Sequence, residues 1–440
     1  MKFFASLIIG SATVGTLLAD SHSSMTNAVQ VTPSFINALA DEALTNSPAL
    51  KSADARINAA RANEKTVRTW EDPTVHVGVN PARRSFRASD GDLIYGVEQK
   101  LPLFGKPKAA RAVTESETKV AQASADFQFQ QLRKNIAQSV FKTAFADRTL
   151  QIGQQDLAWL DTILAVAEQR YELGTATQFD VLRLQNERSK RAEQLKTDAQ
   201  MLGHERVNLN RLLNRNLQTP WPTLELPPIA PPISYDERLA ILAIKYEPKL
   251  KIMRRRIEQA SATIEMTRRE RYPNFAVGAE ARNYSGNGEF RQGIVTLSFN
   301  VPWGNRKKYG ATIQRDQANK NATELDAVDY ELAVRNEIHQ LIVKIDAARR
   351  DALLYREQIL PRSQIALDST RAGWESNAAM FRDVLDARRM LLDAQITSAR
   401  AIAEQYQFMS ELVLRCGLGD LEALQMIGAQ LGDETPRTKP

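Results

Sequence analysis

The chain repeats itself at an offset of 200 residues, and no other feature constrains its fold as strongly. Pro48-Ala49-Leu50 returns as Pro248-Lys249-Leu250, Asp72-Pro73 as Tyr272-Pro273, Gly78 as Gly278, and Leu101-Pro102-Leu103 as Val301-Pro302-Trp303. Further on, Tyr171-Glu172-Leu173-Gly174 through Asp180-Val181-Leu182 aligns with Trp374-Glu375-Ser376-Asn377 through Asp383-Val384-Leu385, now at offset 203. So small a drift marks a duplication with short insertions. The halves, residues 20–217 and 235–432, meet at 218–234, where six prolines forbid both helix and ladder. That segment is expected to run extended as a linker.

Each half alternates with period two in two short stretches. Val75, Val77 and Val79 alternate with Thr74, His76, Gly78 and Asn80; Leu93, Tyr95 and Val97 alternate with Gly96, Glu98 and Lys100. In the second half Phe275, Val277 and Ala279 are followed by Val295, Leu297, Phe299 and Val301. The expected strands are about 73–81, 92–101, 274–283 and 292–301, joined by polar loops at Arg83–Gly91 and Tyr284–Glu289. Their length suits a tilted membrane strand, and Trp70, Phe104, Tyr272, Tyr284, Phe290 and Trp303 lie near their ends. A soluble sandwich would alternate in the same way. Four strands cannot close a barrel alone, whereas three copies would supply about twelve.

Helices are expected around the strands. Ser34–Thr69 reads as one helix ended by Pro73. Long hairpins are expected over 108–214 and 308–416, each arm with a heptad seam. The seams are Leu150, Gly153, Leu157, Leu160, Leu164, Ala167 and Tyr171; Ala192, Leu195, Ala199, Leu202, Arg206, Leu209 and Leu213; and Val384, Ala387, Leu391, Ala394, Ser398, Ala401, Phe408 and Leu412. An arm of some 65 residues extends roughly 100 Å, which suits a conduit. Gly174 and Asn377 are residue types that tolerate a left-handed helix end, so they reverse the hairpins. Asp180 and Asp383 fall in the first turns of the return helices, where a carboxylate favours the dipole. Asp386 shares the face of Asp383, and its counterpart in the first half is Arg183.

Residues 1–19 read as a secretory signal peptide, with Lys2, an apolar stretch to Leu18 and cleavage near Ala19; the competing reading is a membrane anchor. Residues 433–440 read as a disordered tail. No run reaches the length of a spanning helix, so the exported chain either stays soluble or crosses a membrane as a barrel. Cys416 is expected to be a buried structural thiol. The net charge of +6 is spread along helical patterns and gives no case for nucleic acid. His22, His76, His204 and His339 have no metal-ligand spacing, and neither a nucleophile elbow nor a phosphate loop occurs. An enzyme is therefore disfavoured, and no cofactor or resident metal is expected.

The full pattern, over residues 30–420, resembles the outer membrane factor family of TolC-like efflux channels. The resemblance implies an α+β membrane protein: a homotrimeric twelve-stranded barrel continuous with a periplasmic helical tunnel. It implies docking to a periplasmic adaptor and to an inner-membrane pump of RND type, and contact of the barrel with outer-membrane lipid. The family's entrance aspartates fall on Asp383 and Asp386. Its adaptor-contacting tips fall on Leu173, Gly174, Thr175 and Ala176, and on Ser376, Asn377, Ala378 and Ala379. A basic residue that locks the entrance of some members against the first hairpin's aspartate falls on Ala379, so a lock against Asp180 would have to use another group, such as Arg382. Trp70-Glu71-Asp72-Pro73 and Gln99 through Lys106 lean toward the branch that exports heavy-metal cations. The competing readings are a type I protein secretion duct, a periplasmic adaptor and a coiled-coil scaffold.

Overall fold

The computed structural model describes residues 28–424 and 426, apart from 68–69, 81–91, 234, 236, 287 and 377. The expected signal peptide, the 433–440 tail, the whole of the Arg83–Gly91 loop and Asn377 lie outside the described residues.

Each half opens with two helices rather than one. In the first half they are α1 (Pro33–Asn46) and α2 (Pro48–Thr66), after a short strand β1 (Val29–Gln30). The single helix expected over Ser34–Thr69 is thus corrected: the residue before a proline is pushed out of the α region, and Ser47 sits at φ −62°, ψ 122°. Pro48 then opens α2, where its missing N–H costs nothing. The duplication preserves the break in α5 (Glu237–Tyr246) and α6 (Pro248–Arg269).

The strands are β2 (Thr74–Asn80) and β3 (Asp92–Leu101) in the first half, and β5 (Phe275–Tyr284) and β6 (Phe290–Phe299) in the second. They form one antiparallel sheet in the order β2-β3-β5-β6, so the halves join where β3 pairs with β5, Val97 opposite Ala279. β2 and β6 are its open edges. The apolar face is the solvated one: Val77 is 77% exposed and Val295 82%. Among the described residues no second sheet covers it, contrary to a soluble sandwich. At about 3.3 Å per residue, ten-residue strands are long enough to cross the apolar layer of a membrane.

The hairpin arms are α3 (Lys106–Glu172) and α4 (Gln178–Leu213) in the first half; in the second they are α7 (Arg306–Leu354) with α8 (Leu360–Glu375), returning in α9 (Phe381–Cys416). A π-helical turn, Tyr355–Ile359, separates α7 from α8. It precedes Pro361, whose ring would collide with a regular ladder, and the wider turn removes the collision. The seam on α9 is buried as expected at Val384, Ala387, Leu391, Ala394, Ser398 and Ala401. On α3 it broadens: Gly153, Leu160 and Ala167 are buried together with Ile152, Asp156 and Ile163, while Tyr171 is exposed. On α4 Asp198 is buried and Ala199 is exposed.

The principal core lies midway, around Phe141, Leu209, Trp221, Ile338, Tyr406 and Met409. The segment between the halves is extended, as its prolines require, and it is also part of this core. Trp221, Leu224, Ala230 and Ile233 are buried, and β4 (Leu224–Glu225) pairs in parallel with β1. Side chains replace the ladder that proline denies it. Asn210 Nδ2 donates to the Leu217 and Thr219 carbonyls, and Trp221 Nε1 donates to Asn210 Oδ1. Gln405 holds Ala230 by its N–H and its C=O. Asp147 Oδ2 accepts from the Leu224 N–H at 3.0 Å and Oδ1 from Arg206 at 2.8 Å, and burial pushes its carboxyl up. Cys416 is buried, with its thiol pushed up to about 12. It is followed by Gly417, whose φ of 62° and close approach to the Tyr246 carbonyl exclude a side chain.

Candidate functional site at the hairpin tips

Both hairpins reverse at the end remote from the sheet, and they do so in the same way. At the first tip Gly174 takes φ 73°; its N–H reaches the Tyr171 carbonyl, and the Thr175 N–H reaches the Arg170 carbonyl at 2.8 Å. At the second, the Ala378 N–H reaches the Gly373 carbonyl at 2.7 Å, the same bond displaced by 203 residues. Leu173, Gly174, Thr175, Ser376 and Ala378 are exposed, whereas Ala176 and Ala379 are half-buried.

The tips are tied together. Arg170 Nη1 donates to the carbonyls of Trp374 and Glu375 at 2.9 and 3.0 Å, and its guanidinium lies 4.7 Å from the Trp374 ring centroid. Trp374 in turn packs on Phe381 at 5.1 Å. Both rings are buried in an apolar cluster with Leu160, Ile163, Val181, Leu184 and Val384, drawn from both hairpins.

Asp180 is held as a capping partner: Thr177 Oγ1 donates to its carboxylate at 2.7 Å and accepts from its N–H at 3.2 Å. Arg382 does not meet Asp180 within the chain. It lies 3.5 Å from Asp386, whose other oxygen is 3.7 Å from Arg389. Arg389 also holds Glu187 on α4 at 2.8 Å, and this carboxylate raises the guanidinium above its ordinary value. Asp383 is exposed and makes no ion pair among the described residues. The two expected entrance aspartates therefore share a helix face yet differ in kind: Asp386 is flanked by two arginines, and Asp383 is an open charge.

A buried ionic junction lies about four helical turns above the tip. Asp156 on α3 receives Arg388 of α9 at 2.8 Å and Arg191 of α4 at 3.1 Å. Arg388 also stacks over Trp159 at 4.9 Å. Periodicity did carry a signal for Asp156, since it stands three residues after Gly153 and four before Leu160, on the same face. Arg170 had no such signal. Among the described residues no group of three or more His, Cys, Asp or Glu could hold a metal, and no helix is long and apolar enough to cross a membrane.

A duplicated chain, a sheet whose apolar face is bare, and two long hairpins ending in paired tips are the features of a membrane duct component. Both halves match the outer membrane efflux protein family, over residues 39–215 and 239–417, and the chain belongs to that family. The cobalt-zinc-cadmium resistance protein CzcC of Cupriavidus metallidurans is 20% identical over 363 residues, covering 81% of this chain and 84% of that protein. The channel protein CusC superposes with a TM-score of 0.75 at 17% identity, over 87% of this chain and 92% of that one. The outer membrane protein VceC of Vibrio cholerae superposes with a TM-score of 0.72 at 18% identity, over 88% and 97%. The protein is thus an outer-membrane efflux channel component with a helical extension on the periplasmic side.

Proposed function

We propose that three copies pool their sheets into one twelve-stranded barrel, with the hairpins continuing it as a periplasmic tunnel that exports heavy-metal cations. The observation that carries the assembly is the sheet itself. Its apolar face is bare, and its edge strands β2 and β6 each leave a row of backbone groups that lipid cannot satisfy. Pairing β6 of one copy with β2 of the next removes every edge.

The tips Leu173–Ala176 and Ser376–Ala379 would dock a periplasmic adaptor, which joins the duct to an inner-membrane pump, of RND type by analogy with the heavy-metal branch. Asp383 and Asp386 would face the entrance as a ring of six carboxylates in three copies, in which the three open Asp383 charges draw cations in while each Asp386 is offset by Arg382 and Arg389. A lock between Asp180 and Arg382 would have to run between neighbouring copies, because within one chain each has another partner. The metal assignment is supported by the name of the cobalt-zinc-cadmium resistance relative and by the acidic entrance. Deleting the gene and exposing the strain to cobalt, zinc, cadmium, drugs and detergents tests it. Sensitivity to the metals alone is expected. Loss of a secreted protein with unchanged metal tolerance would support a secretion duct instead.

A further inference from the structure

The junction between sheet and helices carries a set of charges that the fold does not use. β6 leads through the exposed Val301 and Trp303 directly into Arg306, Lys307 and Lys308, the first residues of α7. All three cations are exposed, and none makes an ion pair among the described residues. Arg271, just past α6, is likewise exposed and without an ion pair, and its neighbour Tyr272 stacks on Phe104 at 5.1 Å. The duplication places cations here twice, since Lys106 and Lys108 open α3 at the positions of Arg306 and Lys308. Lys106 is occupied, donating to the Tyr272 carbonyl and Asn274 Oδ1 at 2.6 Å, whereas Lys108 is exposed and makes no ion pair among the described residues.

Helix stability does not account for them. The start of a helix is its positive end, where cations are unfavourable, and neither α3 nor α7 has an acid in its first turn. Their depth does account for them. Phe299 and Val301 still belong to the bare apolar face, and a helix advances about 1.5 Å per residue, so Arg306–Lys308 lie within roughly 10 Å of the hydrocarbon edge. Exposed aromatic rings at the same level, Trp303 and Phe104, are the residue types that settle at headgroup depth. Lysine and arginine stems reach along apolar surface to put their charge among headgroups.

We propose that this basic and aromatic collar binds the headgroups of anionic phospholipids in the leaflet facing the periplasm. Its partner is a phosphate-bearing lipid with net negative charge, held by several cations of each copy. The proposal rests on the sheet being embedded in the membrane, and does not depend on the cargo or on the entrance charges.

The test uses the full mature chain, purified in mild detergent and incubated with equal amounts of phosphatidylglycerol and phosphatidylcholine. The lipid retained after gel filtration is then quantified. At about 0.05 M salt the wild type should retain phosphatidylglycerol over phosphatidylcholine by about tenfold, given the attraction each cation adds near a charged lipid. The variant Arg306→Gln/Lys307→Gln/Lys308→Gln should fall toward parity, and Arg306→Lys should keep the preference. Should the triple variant fail to assemble, the wild type at about 1 M salt decides, since screening must abolish a preference made by exposed charge. Equal retention by the wild type at low salt, or a preference that survives the triple substitution or high salt, overturns the collar while leaving the barrel intact. Retention of neither lipid overturns both.

Discussion

Arg170 of the first hairpin caps the end of α8 in the second: its guanidinium donates to the Trp374 carbonyl at 2.9 Å and lies 4.7 Å from the centroid of the same residue's ring. One side chain thus satisfies carbonyls that a helix end leaves unpaired, and it couples two tips 203 residues apart in the repeat. The hairpins of one copy are expected to move together at the entrance, so that widening occurs mainly between copies.

Replacing Arg170 by alanine removes two hydrogen bonds to carbonyls and a cation–π contact, a loss of about 2 kcal/mol confined to the tips. Hydrogen exchange should accelerate around residues 374–382 and stay unchanged in the principal core around Phe141. Arg170→Lys should recover only part of the protection, because an ammonium cannot spread over two carbonyls and a ring as a planar guanidinium does. Unchanged exchange at the second tip in the alanine variant would show that the apolar cluster alone holds the tips.

Asp156→Ala leaves Arg191 and Arg388 facing each other in a largely buried site. The expected cost is about 3 to 5 kcal/mol, well above that of losing an exposed ion pair. Thermal unfolding should show it, with Asp161→Ala as the comparison, since Asp161 pairs with Arg188 at the surface. Equal shifts for the two variants would argue that water reaches the junction.

Glu247 is wholly buried and caps α6, accepting from the Leu250 N–H and from Tyr330 Oη at 3.0 Å, with Arg415 at 3.9 Å. Burial pushes its carboxyl above the ordinary 4.5, despite the opposing pull of these partners. The native state then binds this proton more tightly than the unfolded chain, so stability is fully present below pH 4.5 and declines as pH rises through the raised native value. Glu247→Gln keeps an acceptor for the cap and removes the titration. Its melting temperature should vary less with pH above 4.5 than that of the wild type, and an equally steep profile would assign the dependence to other groups.

Because Asp386 is flanked by Arg382 and Arg389 while Asp383 is open, Asp383→Ala alone should remove most of the cation selectivity of the channel in a planar bilayer. Adding Asp386→Ala should change little more. A larger effect from Asp386→Ala alone would mean that its arginines turn away in the assembled entrance.

Much of this architecture was legible in the sequence, because the 200-residue repeat checked each local reading against a second copy. The alternation at Val75–Val79 and Val295–Val301 fixed which face is apolar, and the α9 seam is buried at every position except the half-buried Phe408. What the sequence concealed depends on distant partners. Helical periodicity ranks faces and does not say what meets them, so Arg170 gave no sign that it would reach Trp374. The Pro-rich segment read as a linker because proline forbids a ladder, yet Asn210, Gln405 and Asp147 supply its hydrogen bonds from far along the chain. The break at Ser47-Pro48 was legible and lost to a run of helix-forming neighbours. The pairing of β3 with β5 joins the two halves edge to edge, which no single strand announces.

The claim on which the account rests is that four strands with two open edges are completed by identical copies. Native mass spectrometry of the mature chain extracted from membranes in detergent tests it most directly. A species of three chains, with no stable monomer, is the result the account predicts. A monodisperse monomer that keeps its β-structure would contradict it.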